Sequence, residues 1–192
     1  MKIEILTDNK YAYLKKIFFL FFIALLSTIV LTISAKIKVP FYPVPMTMQT
    51  FVVAAIGILF GYKLGLTIIS IYIIEGLLGF PVFAGTPEKG IGFNYIIGPT
   101  FGYLLGFFAC VYLLGKFKFK KNYFYNFALL VISVFVIYCL GAIWLGYLIG
   151  WDKPIFDLGV KPFLLAELFK ILLLVVILPQ LLSAKSKIKK VI

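Results

Sequence analysis

The chain contains no histidine and no arginine, only two cysteines, and seven acidic residues against nineteen lysines in 192 residues. The missing histidine removes His-Glu-x-x-His zinc sites, Ser-His-Asp triads and Cys-His dyads together. The missing arginine argues against nucleic acid as a partner despite a net charge of +12, because base readers rely on bidentate guanidinium contacts. There is no Gly-x-x-x-x-Gly-Lys loop, so the chain is not a P-loop ATPase, and no Gly-x-Ser-x-Gly elbow or transmembrane aspartate pair. Cys110 and Cys139 stand alone in apolar runs and read as small apolar side chains packed between helices, not as a disulfide or metal site. No catalytic residue, metal or cofactor is expected.

What the chain has in abundance is apolar length. Apolar residues make up 63% of it and its mean hydropathy is +1.10, where soluble domains hold about 45–50% apolar residues. A spanning helix needs about 20 residues, so there is room for six with short loops. The expected fold is therefore an all-α membrane protein, a six-transmembrane-helix bundle forming a single membrane domain over 1–192. We place the helices at Ile17–Ala35, Phe51–Gly61, Leu64–Leu78, Tyr95–Gly115, Tyr123–Gly150 and Phe163–Leu182. Only Tyr62 and Lys63 separate the second from the third. The first apolar run is longer than a signal-peptide core and reads as a retained helix.

Lysine bias between loops sets the orientation. Lys2, Lys10, Lys15, Lys16, Lys63, Lys116, Lys118, Lys120, Lys121, Lys185, Lys187, Lys189 and Lys190 fall on one side; Lys36, Lys38, Lys89, Lys153 and Lys161 fall on the other. Both termini are thus expected to be cytoplasmic. The outer loops are unlike plain linkers. Residues 36–48 include Lys-Val-Pro-Phe-Tyr-Pro-Val-Pro, a stiff extended path. Residues 79–94 are rich in Gly and Pro yet carry Phe80, Val82 and Phe83. Both are expected to fold down over the mouth of the bundle.

Three ionisable residues remain at membrane depth: Glu75, Glu167 and Lys170. Such groups cost about 2.5–3.5 kcal/mol at a helix centre and therefore point to function. Glu167 and Lys170, spaced i, i+3, share a helix face with Phe163 one turn nearer the outside. An acceptor beside a donor suits a flat group bearing both N–H and C=O, such as an amide, urea or pyrimidine edge; mutual neutralisation that pins the helix is the alternative. Gln49, Asn94, Thr100 and Tyr103 are candidate polar wall residues, and Tyr42, Phe83 and Phe107 candidate apolar ones. Glu75 lies near the outer end of its helix as a weaker candidate. Ala24, Ser27, Thr28, Thr32 and Ala35 form a small-residue stripe on the first helix, fit either for packing within the bundle or for docking another membrane subunit.

Three motifs in order, Pro-Val-Pro-Met-Thr-Met-Gln-Thr at 43–50, Gly-Phe-Pro-Val-Phe-Ala-Gly at 79–85 and Gly-Pro-Thr-Phe-Gly-Tyr-Leu-Leu-Gly-Phe at 98–107, closely resemble the BioY family, the biotin-specific S components of energy-coupling factor (ECF) transporters. The resemblance spans the first to the last helix. It implies six helices in the cell membrane, a biotin site near the outer face and a lid made by the first loop. It also implies docking, through the stripe around Ala24 and Thr28, onto a transmembrane coupling protein with two ATPases that hydrolyse ATP. The family's usual Asp-x-x-Lys motif corresponds here to Glu167 and Lys170, one methylene longer at the acid. The basic residue the family carries near the start of the fourth helix has no counterpart around Pro99–Phe101, leaving hydroxyls, backbone N–H groups or the lid to hold the biotin carboxylate.

Overall fold

The computed structural model describes the backbone of residues 2–41, 46–88 and 90–191, and side chains between 14 and 189 within those ranges. Helix α1 runs Lys2–Lys36 and leads into a two-residue strand β1, Lys38–Val39, paired antiparallel with β2, Met46–Thr47, in the register Lys38↔Thr47. Helix α2, Gln49–Leu77, is broken at Gly61, whose φ of 73° and ψ of 176° are open to glycine and costly for other residues. The chain therefore bends at Gly61, one residue before the separation expected at Tyr62–Lys63. A Cβ on Gly115 would run into the Gly61–Tyr62 backbone, so the bend is also a point of close contact with a neighbouring helix.

After the loop come a one-turn helix α3, Phe93–Ile96, and α4, Phe101–Lys116. The expected single helix from Tyr95 is thus corrected to a start at Phe101. Pro99 lacks an N–H and pushes Gly98 out of helical conformation, so the turn at Ile96 cannot continue into α4. Asn122 caps α5, Tyr123–Ile149, by accepting the Tyr125 N–H at 3.1 Å. A short α6, Ile155–Gly159, and a 3-10 turn at Lys161–Phe163 then lead into α7, Leu164–Val191, which runs well past the expected end at Leu182. Pro179 lies inside α7.

Among the described residues, four helical stretches are long and apolar enough to span a bilayer: Leu14–Lys36, Gln49–Leu77, Tyr123–Ile149 and Ile155–Lys189; α4 is a shorter apolar helix. Large apolar side chains are exposed on the long helices, including Phe18 and Phe22 on α1, Phe135 on α5 and Val176 on α7. In water such a surface would be a liability; in hydrocarbon it faces a matching solvent. The core holds Val53, Ile68, Ile69 and Tyr72 of α2, Val111 and Leu114 of α4, Ile137 of α5 and Leu174 of α7. Cys110 is buried among them and Cys139 half-buried, both as free thiols.

Apolar side chains gain nothing from leaving lipid for one another, so close backbone approach carries the packing of such a bundle. Gly102 and Gly106, one turn apart on α4, supply it against α5. A Cβ at Gly106 would lie 2.6 Å from the Ile137 Cα, and one at Gly102 would lie 2.6 Å from the Leu140 carbonyl oxygen. Gly106→Ala must force the two helices apart and is expected to cost about 1–3 kcal/mol. A lowered melting temperature of the detergent-purified protein is the readout, and an unchanged one would mean that the α4–α5 interface yields more easily than its geometry indicates.

Candidate functional site

A cavity of about 580 Å³ opens at the end of the bundle that carries the β1–β2 hairpin and the 79–92 loop. Gln49 and Thr50 of α2, Thr100, Tyr103 and Phe107 of α4, Tyr138 of α5, Phe163 of the 3-10 turn, and Glu167 and Lys170 of α7 line it, together with Lys38 and Thr47 of the hairpin and Tyr95. A larger cavity of about 930 Å³ lies at the other end, between the Gly61 bend, Lys63 and Lys185. Its described walls bring no acid and lysine together, so the hairpin-side cavity, with its convergent polar groups, is the candidate site.

Its centre is an ion pair. Lys170 and Glu167 are 4% and 6% exposed, so neither charge has water to fall back on. Lys170 Nζ donates to Glu167 Oε1 at 2.6 Å, to Thr50 Oγ1 at 2.8 Å and to the Thr47 carbonyl at 3.1 Å. An ammonium has three N–H groups, and all three are thereby used. The Thr50 hydroxyl, which accepts from Lys170, lies 2.9 and 3.0 Å from the two Glu167 oxygens and has one proton to give them. Tyr138 also donates to Glu167 Oε1, at 2.9 Å. Oε1 is thus crowded with donors, whereas Oε2 has only its share of the Thr50 proton.

This changes the chemistry expected of the pair. Lys170 does not stand beside Glu167 as a free donor; it holds the carboxylate in place. The free acceptor is Glu167 Oε2. Complementary capacity comes from Gln49, whose Nε2 donates to the Tyr72 hydroxyl at 2.9 Å while Tyr72 donates to the Val82 carbonyl at 2.8 Å. That relay leaves the second N–H and the carbonyl of Gln49 without a partner among the described residues. Carboxylate and primary amide together can meet a group that presents both N–H and C=O.

Aromatic rings shape the remainder. Tyr138 meets Tyr103 edge-on at 5.7 Å and Phe163 at 6.2 Å. Tyr103 is anchored by its hydroxyl, which donates to the Gly159 carbonyl at 2.8 Å and so ties α4 to α6. The cavity is therefore polar at the ion pair and apolar along these rings.

Of the residues singled out in the sequence, Gln49, Thr100, Tyr103, Phe107, Phe163, Glu167 and Lys170 come together on this wall. Asn94 does not: it is exposed on the one-turn α3, whose inward position is taken by Tyr95. Phe83 stands one layer behind the wall, 1% exposed, stacked on Tyr95 at 4.7 Å and edge-on to Tyr72 at 5.3 Å. Tyr42 lies outside the described residues. Glu75 faces α1 instead, accepting the Thr28 hydroxyl at 3.0 Å. Ala24, Ser27 and Thr28 are buried and Thr32 is half-buried, so in the isolated chain the small-residue stripe provides close packing inside the bundle.

Sequence reading missed Thr50, Tyr138 and Lys38. Thr50 sits within the Met-Thr-Met-Gln-Thr motif, and Tyr138 is one of twelve tyrosines with nothing local to single it out. Thr50→Val keeps the side-chain volume but orphans one Lys170 N–H, at a cost of about 1–3 kcal/mol. We expect a lower melting temperature for that variant and near-normal stability for Thr50→Ser. Equal melting of all three proteins would show that the hydroxyl does not bridge the pair.

The chain matches the BioY family model over residues 8–187. It is 38% identical over 150 residues to the probable biotin transporter BioY of Pyrococcus horikoshii, covering 78% of this chain and 88% of that protein. It is 33% identical over 145 residues to the biotin transporter BioY of Thermotoga maritima, covering 75% and 84%. In structure it is similar to the S-component for biotin from an ECF-type ABC transporter, with a TM-score of 0.70 over 87% of this chain and 92% of that one, at 23% identity. The fold is thus that of an S component, and the chain belongs to the BioY family.

Proposed function

We propose that this multi-pass membrane protein is the biotin-capturing S component of an ECF-type uptake transporter in the plasma membrane. The observation that carries the reading is the buried Glu167–Lys170 pair at the floor of an aromatic-walled cavity. Biotin's ureido ring offers N–H donors that suit Glu167 Oε2 and a carbonyl that suits the free N–H of Gln49. Its sulfur-containing ring and aliphatic tail suit Tyr103, Phe107, Tyr138 and Phe163. The role is binding and transport, with no chemical step assigned to the chain.

In this reading α1, the two arms of α2, α4, α5 and α7 are six membrane helices forming one domain. Both termini are cytoplasmic, as lysine bias requires. The cavity then opens outward, and the hairpin segment 36–48 and the loop 79–94 cover it. ATP hydrolysed by two partner ATPases, relayed through a transmembrane coupling protein, supplies the energy. Docking through the α1 stripe requires that a partner reach Thr32 at its half-buried edge, since Ala24 and Thr28 are covered by the chain itself.

Isothermal titration of the detergent-purified protein with biotin tests the assignment. Binding is expected at sub-micromolar ligand, below about 1 μM. No heat at micromolar biotin, with binding of thiamine or riboflavin instead, would move the protein to another vitamin. Binding of none of these would leave the ion pair as a purely structural clamp.

A further inference from the structure

We infer that Lys38, on the first strand of the hairpin, recognises the carboxylate of the bound ligand. The inference rests on the biotin reading above and adds the group that selects the ligand's anionic end. An aliphatic carboxyl is ionised at neutral pH, and a cavity that takes one up needs a cation or several N–H donors to replace lost water. Only two cations line this cavity among the described residues, Lys38 and Lys170. Lys170 has all three N–H groups engaged by Glu167, Thr50 and the Thr47 carbonyl. It can accept no further acceptor without giving one of these up.

The other described lysines at this end of the molecule are also committed. Lys36 donates to the carbonyl and hydroxyl of Thr86 at 2.5 and 2.6 Å. Lys153 pairs with Asp152 at 3.1 Å and Lys161 with Asp157 at 2.7 Å. Lys38 has no acidic partner within 4 Å among the described residues, and its side chain is exposed. It waits, in effect, as a hydrated charge at the rim.

Hairpin register puts it there. Lys38 is paired directly with Thr47, and residues directly opposite in an antiparallel pair project to the same face. Thr47 and Lys38 both line the cavity, so this pair stands at its mouth. A slip of one residue would turn Lys38 away. The cavity consequently has an uncharged-ligand end, at Glu167 and Gln49, and a cationic rim. A molecule with a polar cyclic head and an anionic tail enters it in one orientation, and the tail holds the hairpin against the bundle.

The test compares biotin with biotinamide, which keeps the rings and tail but replaces the carboxylate by a neutral amide. Affinities of both for the full-length purified protein and for its Lys38→Ala and Lys38→Arg variants are measured by titration. The unaltered protein is expected to prefer biotin by about tenfold or more, the worth of a hydrogen bond to a charged group. Lys38→Ala should lose that preference by weakening biotin, with biotinamide affected no more than about threefold, and Lys38→Arg should keep it. Biotinamide binding also shows that the variant is folded. A preference that survives Lys38→Ala, or an equal loss for both ligands, overturns the assignment of Lys38. Failure of the unaltered protein to bind either ligand overturns the biotin reading itself, which distinguishes the two failures.

Discussion

Lys170→Met is expected to abolish biotin binding, with a loss of at least about 100-fold in affinity, or ~2.7 kcal/mol. The substitution removes the only cation in contact with Glu167 among the described residues, and leaves that carboxylate, 7% exposed, to Tyr138 and Thr50. Breaking one partner out of a buried pair costs about 3–5 kcal/mol because the survivor is left charged and unpaired. Without its cation, Glu167 is held by Tyr138 and Thr50 alone, and Oε2 is no longer fixed where a ureido N–H would meet it.

Stability and binding must be separated, because both fall in this variant. The double substitution Glu167→Gln with Lys170→Met is the means. A neutral pair of similar size carries no orphaned charge, so the melting temperature should recover most of the single variant's loss. Biotin affinity should not recover. If binding returns with stability, the pair is a clamp and the ligand is held elsewhere. Glu167→Gln alone, which removes the charge but keeps the shape, should weaken biotin by at least about tenfold.

The second large effect is expected at a residue outside the cavity wall. Phe83→Ala should destabilise the protein by about 3–5 kcal/mol, in the range of buried aromatic truncations. Phe83 fills the space over Gly76, where any Cβ would strike its ring, and sits between Tyr72 and Tyr95. The 79–92 loop is pinned to the bundle at this point. Tyr72 is one ring of that contact, and it is also the acceptor that orients Gln49. Removing Phe83 therefore frees Tyr72 from both the edge-on ring contact and the Val82 carbonyl, and Gln49 loses its fixed amide. A fall in melting temperature should be accompanied by weaker biotin binding, although Phe83 touches no cavity surface. Phe83→Leu, which keeps most of the volume, should retain most of both. Normal affinity in Phe83→Ala at a temperature where the protein is folded would show that Gln49 is not positioned through this relay.

Membrane residence, the helical segments and the placing of Glu167 beside Lys170 follow from the sequence, each for a reason that acts along the chain. Twenty apolar residues in a row must be helical in a bilayer because no water is there to satisfy the backbone. An acid and a lysine three residues apart must share a helix face. The bend near Tyr62 was legible from a short glycine-flanked interruption, and a three-motif resemblance pointed to the family.

Tertiary structure alone decided what the pair can do. Thr50 and Tyr138 reach Glu167 from helices 117 and 29 residues away in sequence, and only the packing of α2, α5 and α7 brings them together. That convergence uses up the donors of Lys170 and makes it the support of Glu167 rather than a free donor. Likewise Phe83 looked like a wall residue because its loop was expected over the cavity, yet packing against Gly76 draws it one layer deeper. Lys38 carried no signal at all in a lysine-rich chain. Its place on the rim comes from a strand register, and register is set by pairing between segments, which no local pattern of residues records.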